Sequence, residues 1–390
     1  MKCEWKEVEL SEVADLTVGF VGTMASHYTD NGVLFLRSTN IEPFNIKMDD
    51  VKYISPEFNE TIKKSQLNPD DVVIVRTGKP GACTVIPQKT EPWNCSDLVI
   101  IHPNKEKINP HFLASYINLA SGVINAHLVG AVQQHFNVGA AKKMKIPLPS
   151  IDVQNRIASI IQGLNDKIEL NNKINENLER QAQAFYQELF ISNADPSWQQ
   201  GTISDLGTVV GGSTPSKSKP EYYTENGIAW ITPKDLSINK SKFISRGEND
   251  ITELGLKNSS ATIMPEGTVL FSSRAPIGYI AIAAGKVTTN QGFKSVVPKP
   301  EIGTAFVYYF LQHNLPVIEG MASGSTFKEV SGSTMKNVPA VIPDSETLFR
   351  FNSFCASIFK QQKILEEQNQ RLAELRGSLL PKLMSGKISF

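Results

Sequence analysis

The sequence has no paired cysteines and no surplus of charge. Its four cysteines, Cys3, Cys83, Cys95 and Cys355, contain no C-x-x-C pair. Neither a zinc site nor a disulfide framework is therefore suggested, and reduced, mostly buried thiols are expected. Lys+Arg and Asp+Glu both number 39, so the net charge is zero. That balance argues against a stand-alone, charge-driven polyanion binder, which is usually basic. It leaves room for a nucleic-acid reader whose basic groups are local, or whose partner supplies much of the phosphate contact. No apolar run is long enough to span a membrane. The opening "MKCEWKEVEL" has no apolar signal core, so the cytoplasm is the simplest compartment.

Catalytic signatures are missing as well. Gly78-Lys79, Gly285-Lys286 and Gly386-Lys387 all lack the rest of a G-x-x-x-x-G-K-[ST] phosphate loop. There is no H-E-x-x-H and no G-x-G-x-x-G after a strand. A Pro-Pro pair, as amino-methyltransferases carry, is absent, and so is the Pro-Asp … (Asp/Glu)-x-Lys pattern of nucleases. The histidines at 27, 102, 111, 127, 135 and 313 lack metal-ligand spacing. His102, His111, His127 and His135 could converge, but an ordinary structural role is simpler. No metal and no cofactor is expected in this chain.

What the sequence does have is repetition. "KMKIPLPSIDVQNRIASII" from Lys143 and "KNVPAVIPDSETLFRFNSFC" from Lys336 follow one plan: lysine, short apolar strand, proline, amphipathic helix. Pro149 and Pro343 stand 194 apart (343 − 149), as do Arg156 and Arg350. "NGVLFLRSTNI" from Asn31 matches "NGIAWITPKDL" from Asn226. "LNPDDVVIVRTGKPG" from Leu67 matches "IMPEGTVLFSSRAPIG" from Ile263. "CSDLVIIHP" from Cys95 matches "NQGFKSVVP" from Asn290. Framework positions agree, while the residues between them mostly differ. A period this long is not a solenoid repeat. It is one domain plus one helix, used twice.

Each copy begins with short β-branched and aromatic runs broken by Gly, Pro and Asn. "VVIVRTG" and "TVLFSSR" predict strands entering tight loops; "TVIP" and "YIAIA" predict strands leaving them. Each copy ends in a heptad pattern. The first series is Ile157, Leu164, Leu178 and Phe185 with Asn171, beside Ile161, Ile168, Ala182 and Leu189 with Asn175. The second is Phe351, Ile358, Leu365, Leu372 and Leu379, beside Leu348, Cys355, Gln362, Asn369, Arg376 and Leu383. A helix over 152–190 is about 58 Å long at 1.5 Å per residue, more than a small globule needs for its own core. The expected fold is α+β. Two similar mixed α/β globules, 1–149 and 197–343, are separated by a long antiparallel two-helix coiled coil, 150–192 with 344–384, as an internal pseudo-twofold repeat. The polar seam positions Asn171, Asn175, Gln362 and Asn369 either fix the register or mark a stretch open to water.

The loops have the composition of readers. In copy one these are Arg37, Ser38, Thr39 and Asn40; Arg76, Thr77 and Lys79; and Gln133 and Gln134. In copy two they are Ser216, Lys217, Lys219 and Tyr222 in a flexible basic loop; Thr232, Lys234 and Asp235; Ser273 and Arg274; Asn290 and Gln291; and Thr326 and Lys328. Forked or bidentate groups read base edges, and Lys, Ser and Thr take phosphates. The same residues also populate ordinary surface loops.

These phrases, duplicated and in this order, resemble the specificity subunit of type I restriction–modification systems over nearly all 390 residues. "GGSTPSKSKPEYYTENGIAWITPKDL" looks like the opening of that family's target-recognition domain. "TTNQGFKSVVP", "SGSTFKEVSGSTMKNVPAVIP" and "KIPLPSIDVQNRIASII" are similar to its later landmarks. "KIELNNKINENLERQAQAFYQELF" and "LEEQNQRLAELRGSLLPKLMSGKI" are similar to its helical regions. Copy one departs, with "CSDLVI" for "NQGFKS" and "GAVQQHF" for "GSTFKEV". The resemblance implies a non-catalytic DNA-binding subunit. Each recognition domain would read one half of a bipartite, asymmetric double-stranded site. Two modification subunits would bind S-adenosylmethionine and methylate adenine N6. Two translocase–endonuclease subunits using ATP and Mg2+ would join where restriction occurs. A protein–protein scaffold and the recognition module of a type II-like enzyme are the alternatives.

Overall fold

Strands that bury both faces need apolar residues at every position, and the "VVIV" of Val72–Val75 meets that need. Side chains alternate across a strand. Val72 and Ile74 therefore enter one core with Phe112, Leu113 and Ile157, while Val73 and Val75 enter another with Leu36, Leu67 and Ile86. The computed structural model describes residues 5–78, 80–89, 91–128, 137–324 and 328–386. They fall into two units, Met1–Glu169 with Gln370–Phe390 and Leu170–Asn369.

In the first unit an antiparallel sheet runs Cys83–Val85, Val72–Val75, Leu98–Pro103, Ala14–Val18. A second sheet runs Tyr28–Thr29, Lys52–Ile54, Val33–Leu36, Trp93–Cys95, Gln66–Leu67, and its Val33–Leu36 and Trp93–Cys95 strands are parallel. The second unit repeats the plan. One sheet runs Gly207–Gly211, Lys294–Pro298, Val269–Ser273, Ile277–Ala283, Phe243–Ile244. The other runs Tyr223–Thr224, Asn249–Ile251, Ile228–Ile231, Thr288–Thr289, again with one parallel pair. The second copy adds Phe243–Ile244 at an edge. A two-stranded ribbon closes each globule: Lys6–Glu9 on Lys145–Leu148, and Gln199–Thr202 on Pro339–Ile342. It ties the start of the globule to the strand that feeds its long helix.

Helix α1 spans Ile151–Gln187 and continues as a wider turn over Glu188–Ser192; helix α2 spans Ser345–Met384. Asp344 starts α2. Its Oδ1 accepts from the Thr347 N–H at 2.8 Å and its Oδ2 from Trp198 Nε1 at 3.0 Å. The bond from the Thr347 backbone is the main reason its carboxyl is held below the usual range. Within each unit the helices run antiparallel. In the first, Arg376 donates to Asn165 Oδ1 at 2.5 Å, and Ile157 and Ile161 share a core with Leu379, Leu380 and Leu383. In the second, Asn171 donates to Asn369 Oδ1 at 2.8 Å, Gln362 to Glu179 at 3.1 Å, and Phe185 packs on Phe351 with ring centroids 6.0 Å apart. Every expected seam position is buried or half-buried. Asn171 and Gln362 are 0% and 3% exposed, which fits register-fixing bonds rather than a stretch open to water.

Candidate nucleic-acid interface

The reading loops of the second unit are tied together by their own backbone. Ser213 N–H donates to the Thr289 carbonyl at 2.9 Å, and Asn290 N–H to that of Ile231 at 3.0 Å. Ser273 N–H donates to Gly292 at 2.7 Å and Val330 N–H to Ser273 at 3.0 Å. These bonds gather 211–215, 231–235, 272–276, 289–293 and 328–331 into one patch. The first unit uses the same ties: Phe20 N–H donates to Cys95 at 2.9 Å and Ser96 N–H to Leu36 at 3.0 Å. Glycine is needed at the same point of both. A Cβ on Gly212 would lie 1.9 Å from the Asn290 oxygen, and one on Gly19 would lie 2.8 Å from Cys95 Sγ.

On this shared frame the side chains differ. In the first unit Arg76 pairs with Asp97 at 3.1 Å, and Thr77 donates to the same carboxylate at 2.6 Å. Arg37 pairs with Asp50 at 3.0 Å, and the hydrogen bond from Lys52, followed by that from Arg37, lowers the Asp50 pKa. The Nε atoms of Arg37 and Arg76 are buried without a protein partner, and the terminal nitrogens of each fork make the contacts to Asp50 and Asp97. Ser38 and exposed Thr39 lie in a short 3-10 turn. Asn40 is buried, accepting from Arg37 N–H at 3.1 Å and donating to the Lys47 carbonyl at 3.1 Å.

In the second unit Ser216, Lys217 and Lys219 are exposed on the basic loop. Aromatics anchor that loop: Tyr223 donates to the Pro215 carbonyl at 2.6 Å, Trp230 Nε1 to that of Ser213 at 3.0 Å, and Lys219 lies 5.2 Å from the ring of buried Tyr222. Thr232 and Asp235 form a capping box, with Thr232 Oγ1 donating to Asp235 at 2.6 Å. Asp235 also accepts from Glu248 N–H at 2.8 Å. Lys234 is exposed beside Glu248, whose hydrogen bond raises its pKa. Ser273 is buried with its hydroxyl on the Gly292 carbonyl at 3.1 Å. Asn290 accepts from Gly292 N–H at 2.9 Å, and exposed Gln291 accepts from Thr214. Arg274 and Lys294 share Glu329 at 3.3 and 3.4 Å, next to exposed Lys328.

The 95–97 segment thus links the 36–40 and 76–77 loops, through Ser96 to Leu36 and Asp97 to Arg76 and Thr77, and the backbone ties above gather the loops of the second globule. Lys79, Gln133, Gln134 and Thr326 lie outside the described residues. Sequence reasoning missed Asp50, Asp97, Lys294 and Glu329, which hold or extend the cationic groups. It also treated Asn40, Tyr222, Asp235 and Ser273 as equals of the exposed residues, whereas all four are buried. The pattern T-P-K-D at 232–235, a capping box, was the available signal for Asp235. Among the described residues no cluster of His, Cys, Asp and Glu could hold a metal ion, and no helix is long and apolar enough to cross a membrane.

The profile of the family described as "Type I restriction modification DNA specificity domain" matches residues 2–180 and again 196–375. The chain belongs to that family. The two matches of the specificity-domain profile follow the repeat read from the sequence. The chain is 40% identical over 191 residues to the type I restriction enzyme MjaIX specificity subunit of Methanocaldococcus jannaschii, covering 47% of this chain and 44% of that relative. It thus spans less than half the length of that specificity subunit. It is 23% identical over 371 residues to the HindI specificity subunit of Haemophilus influenzae, covering 74% of this chain and 80% of the relative. The fold is that of the crystallised type I restriction–modification S subunit from M. genitalium: TM-score 0.60 at 14% identity, with 97% and 96% of the two chains covered.

Proposed function

We propose that this chain is the DNA-reading subunit of a type I restriction–modification enzyme, with each globule reading one half of a split, asymmetric double-stranded site. The observation that carries this is one loop frame used twice with different side chains. The ties at Ser96–Leu36 and Asn290–Ile231 are the same bond at the same length, 3.0 Å, yet one patch offers Arg37, Arg76 and Thr77 and the other Lys217, Lys234, Arg274 and Gln291. Two surfaces of one shape and unlike chemistry suit two unlike half-sites. The exposed or half-exposed groups among them contact DNA, while buried Asn40, Tyr222, Asp235 and Ser273 shape the loops.

The chain itself is non-catalytic. Two modification subunits bind S-adenosylmethionine and methylate adenine, which requires a flipped base held in a pocket of theirs. ATP and Mg2+ belong to translocase–endonuclease subunits where these are present. Large apolar side chains exposed on the helices support docking of such partners: Ile160 and Leu375 in the first unit, and Phe349 at 74% exposure, Phe354 and Ile364 in the second. Such an assembly works in the cytoplasm. The test is N6-methyladenine mapping of a host genome with and without this gene, partner genes expressed. Loss of one split motif with two unlike halves and a fixed gap is expected. An unchanged methylome would instead favour a protein scaffold.

A further inference from the structure

Lys242 is 7% exposed and belongs to none of the reading loops. Lysines are rarely buried to this degree without partners. It immediately precedes the edge strand that the second globule adds to its sheet, Phe243–Ile244, and the Ile282 N–H donates to its carbonyl at 2.7 Å. Its own N–H donates to Glu366 of α2 at 2.8 Å, and the Phe243 N–H donates to the other oxygen of that carboxylate at 3.0 Å. Its ammonium donates to Glu179 of α1, to Gln362 of α2 at 2.9 Å and to the Tyr309 hydroxyl at 3.0 Å. The rings of Phe359, Tyr308 and Tyr309 surround it at 4.5, 4.8 and 5.1 Å. Tyr309 and Gln362 each donate to Glu179 at 3.1 Å, which closes the network.

One side chain therefore joins the second globule to both helices through directional bonds. Apolar contacts tolerate sliding and tilting; a desolvated charge network has one arrangement in which its members are satisfied. Among the described residues the first unit meets its helices differently: there Arg376 lies 4.7 Å from the Phe44 ring and donates to Asn165. We propose that Lys242 is a positioning residue, which fixes the angle of the second reading patch on the helix pair and so the half-site spacing that is accepted. This rests on the DNA reading proposed above.

The test uses the full chain with its methylating partners and DNAs carrying the native spacer or one a base pair longer or shorter. Lys242→Met is one variant. The Lys242→Met/Glu179→Gln pair is the second, removing both charges so that Glu179 is not left without its cation; Glu366 keeps its two backbone donors. The preference for the native spacer is expected to fall about fivefold or more in the pair, with the preferred bases unchanged in both halves. Leu270→Ala, which weakens the core of the same globule away from these bonds, should lower every yield and leave the preference intact. An unchanged preference in the folded pair, or an equal loss in Leu270→Ala, overturns the assignment. A wild-type complex that methylates no split site overturns the DNA reading and this proposal with it.

Discussion

Gly19 and Gly212 stand at equivalent points; a Cβ on Gly212 would run into the backbone of 289–290, and one on Gly19 would press on Cys95, its sulfur first. Gly212→Ala is expected to force the 289–291 segment away at a cost of about 1–3 kcal/mol. Reading of the second half-site should be lost first. Its neighbour Gly211 has nothing within 4 Å of a Cβ, so Gly211→Ala should leave melting and methylation unchanged. Equal behaviour of the two variants would refute the steric reading. His102 offers a second test. Its Nδ1 lies 2.7 Å from Asp71, and that hydrogen bond raises its pKa. The protonated ring is favoured in the fold. The contribution is complete below the ordinary value of about 6.5 and is lost as pH rises through the raised folded value. Melting of His102→Gln between about pH 6 and 8 should therefore show less loss of stability with rising pH than wild type; an identical slope would rule the pair out. At this scale the sequence was only partly readable. It marked Arg76 and Arg274 by type, but Asp97 lies 20 residues from Thr77 and Glu329 lies 55 from Arg274, partners that only the returning loops supply.

Among the elements, the long helices were legible because a seven-residue period continues past any small core, and their seam is where the heptads put it. The fully apolar strands were legible for a related reason: both faces are buried. The period says nothing about what joins the seam at its ends. Tyr186 and Phe190 lie off it, yet they pack on Phe306 and Phe351 because α1 there also covers the second globule. Phe351 is fully buried among these rings, so Phe351→Ala should cost about 3–5 kcal/mol in chemical denaturation of the chain. The polar seam should respond in the opposite sense. Asn171 Oδ1 is buried without a partner, and its amide is spent on Gln368 and Asn369. Asn171→Leu with Asn369→Leu should raise stability by about 1 kcal/mol or more while weakening the choice of register. A fall in stability would show that the asparagine bonds outweigh their desolvation.

For the molecule as a whole, the repeat makes modularity and length separately testable. Exchanging 197–343 for another recognition domain should alter one half of the methylated motif and leave the other; a change in both halves would end the modular reading. Length is the sharper case. α1 is one unbroken helix from Ile151 to Gln187, so removing 171–177 together with 365–371 takes one heptad from each partner of the pair. Seven residues at 1.5 Å shorten the pair by about 10 Å, roughly three base pairs of duplex. A heptad turns a straight helix by only about 20°, whereas three base pairs of duplex with 10–10.5 per turn rotate by about 100°. Translation and rotation can then not both match the DNA. The deleted chain should lose methylation at native sites and regain little at sites three base pairs shorter. Full activity at the native spacing would show that the helices do not set the gap. Full activity at the shortened spacing would show that the globules turn freely on the helices, which the bonds of Lys242 to Glu179 and Gln362 oppose even though the deletion removes Glu366.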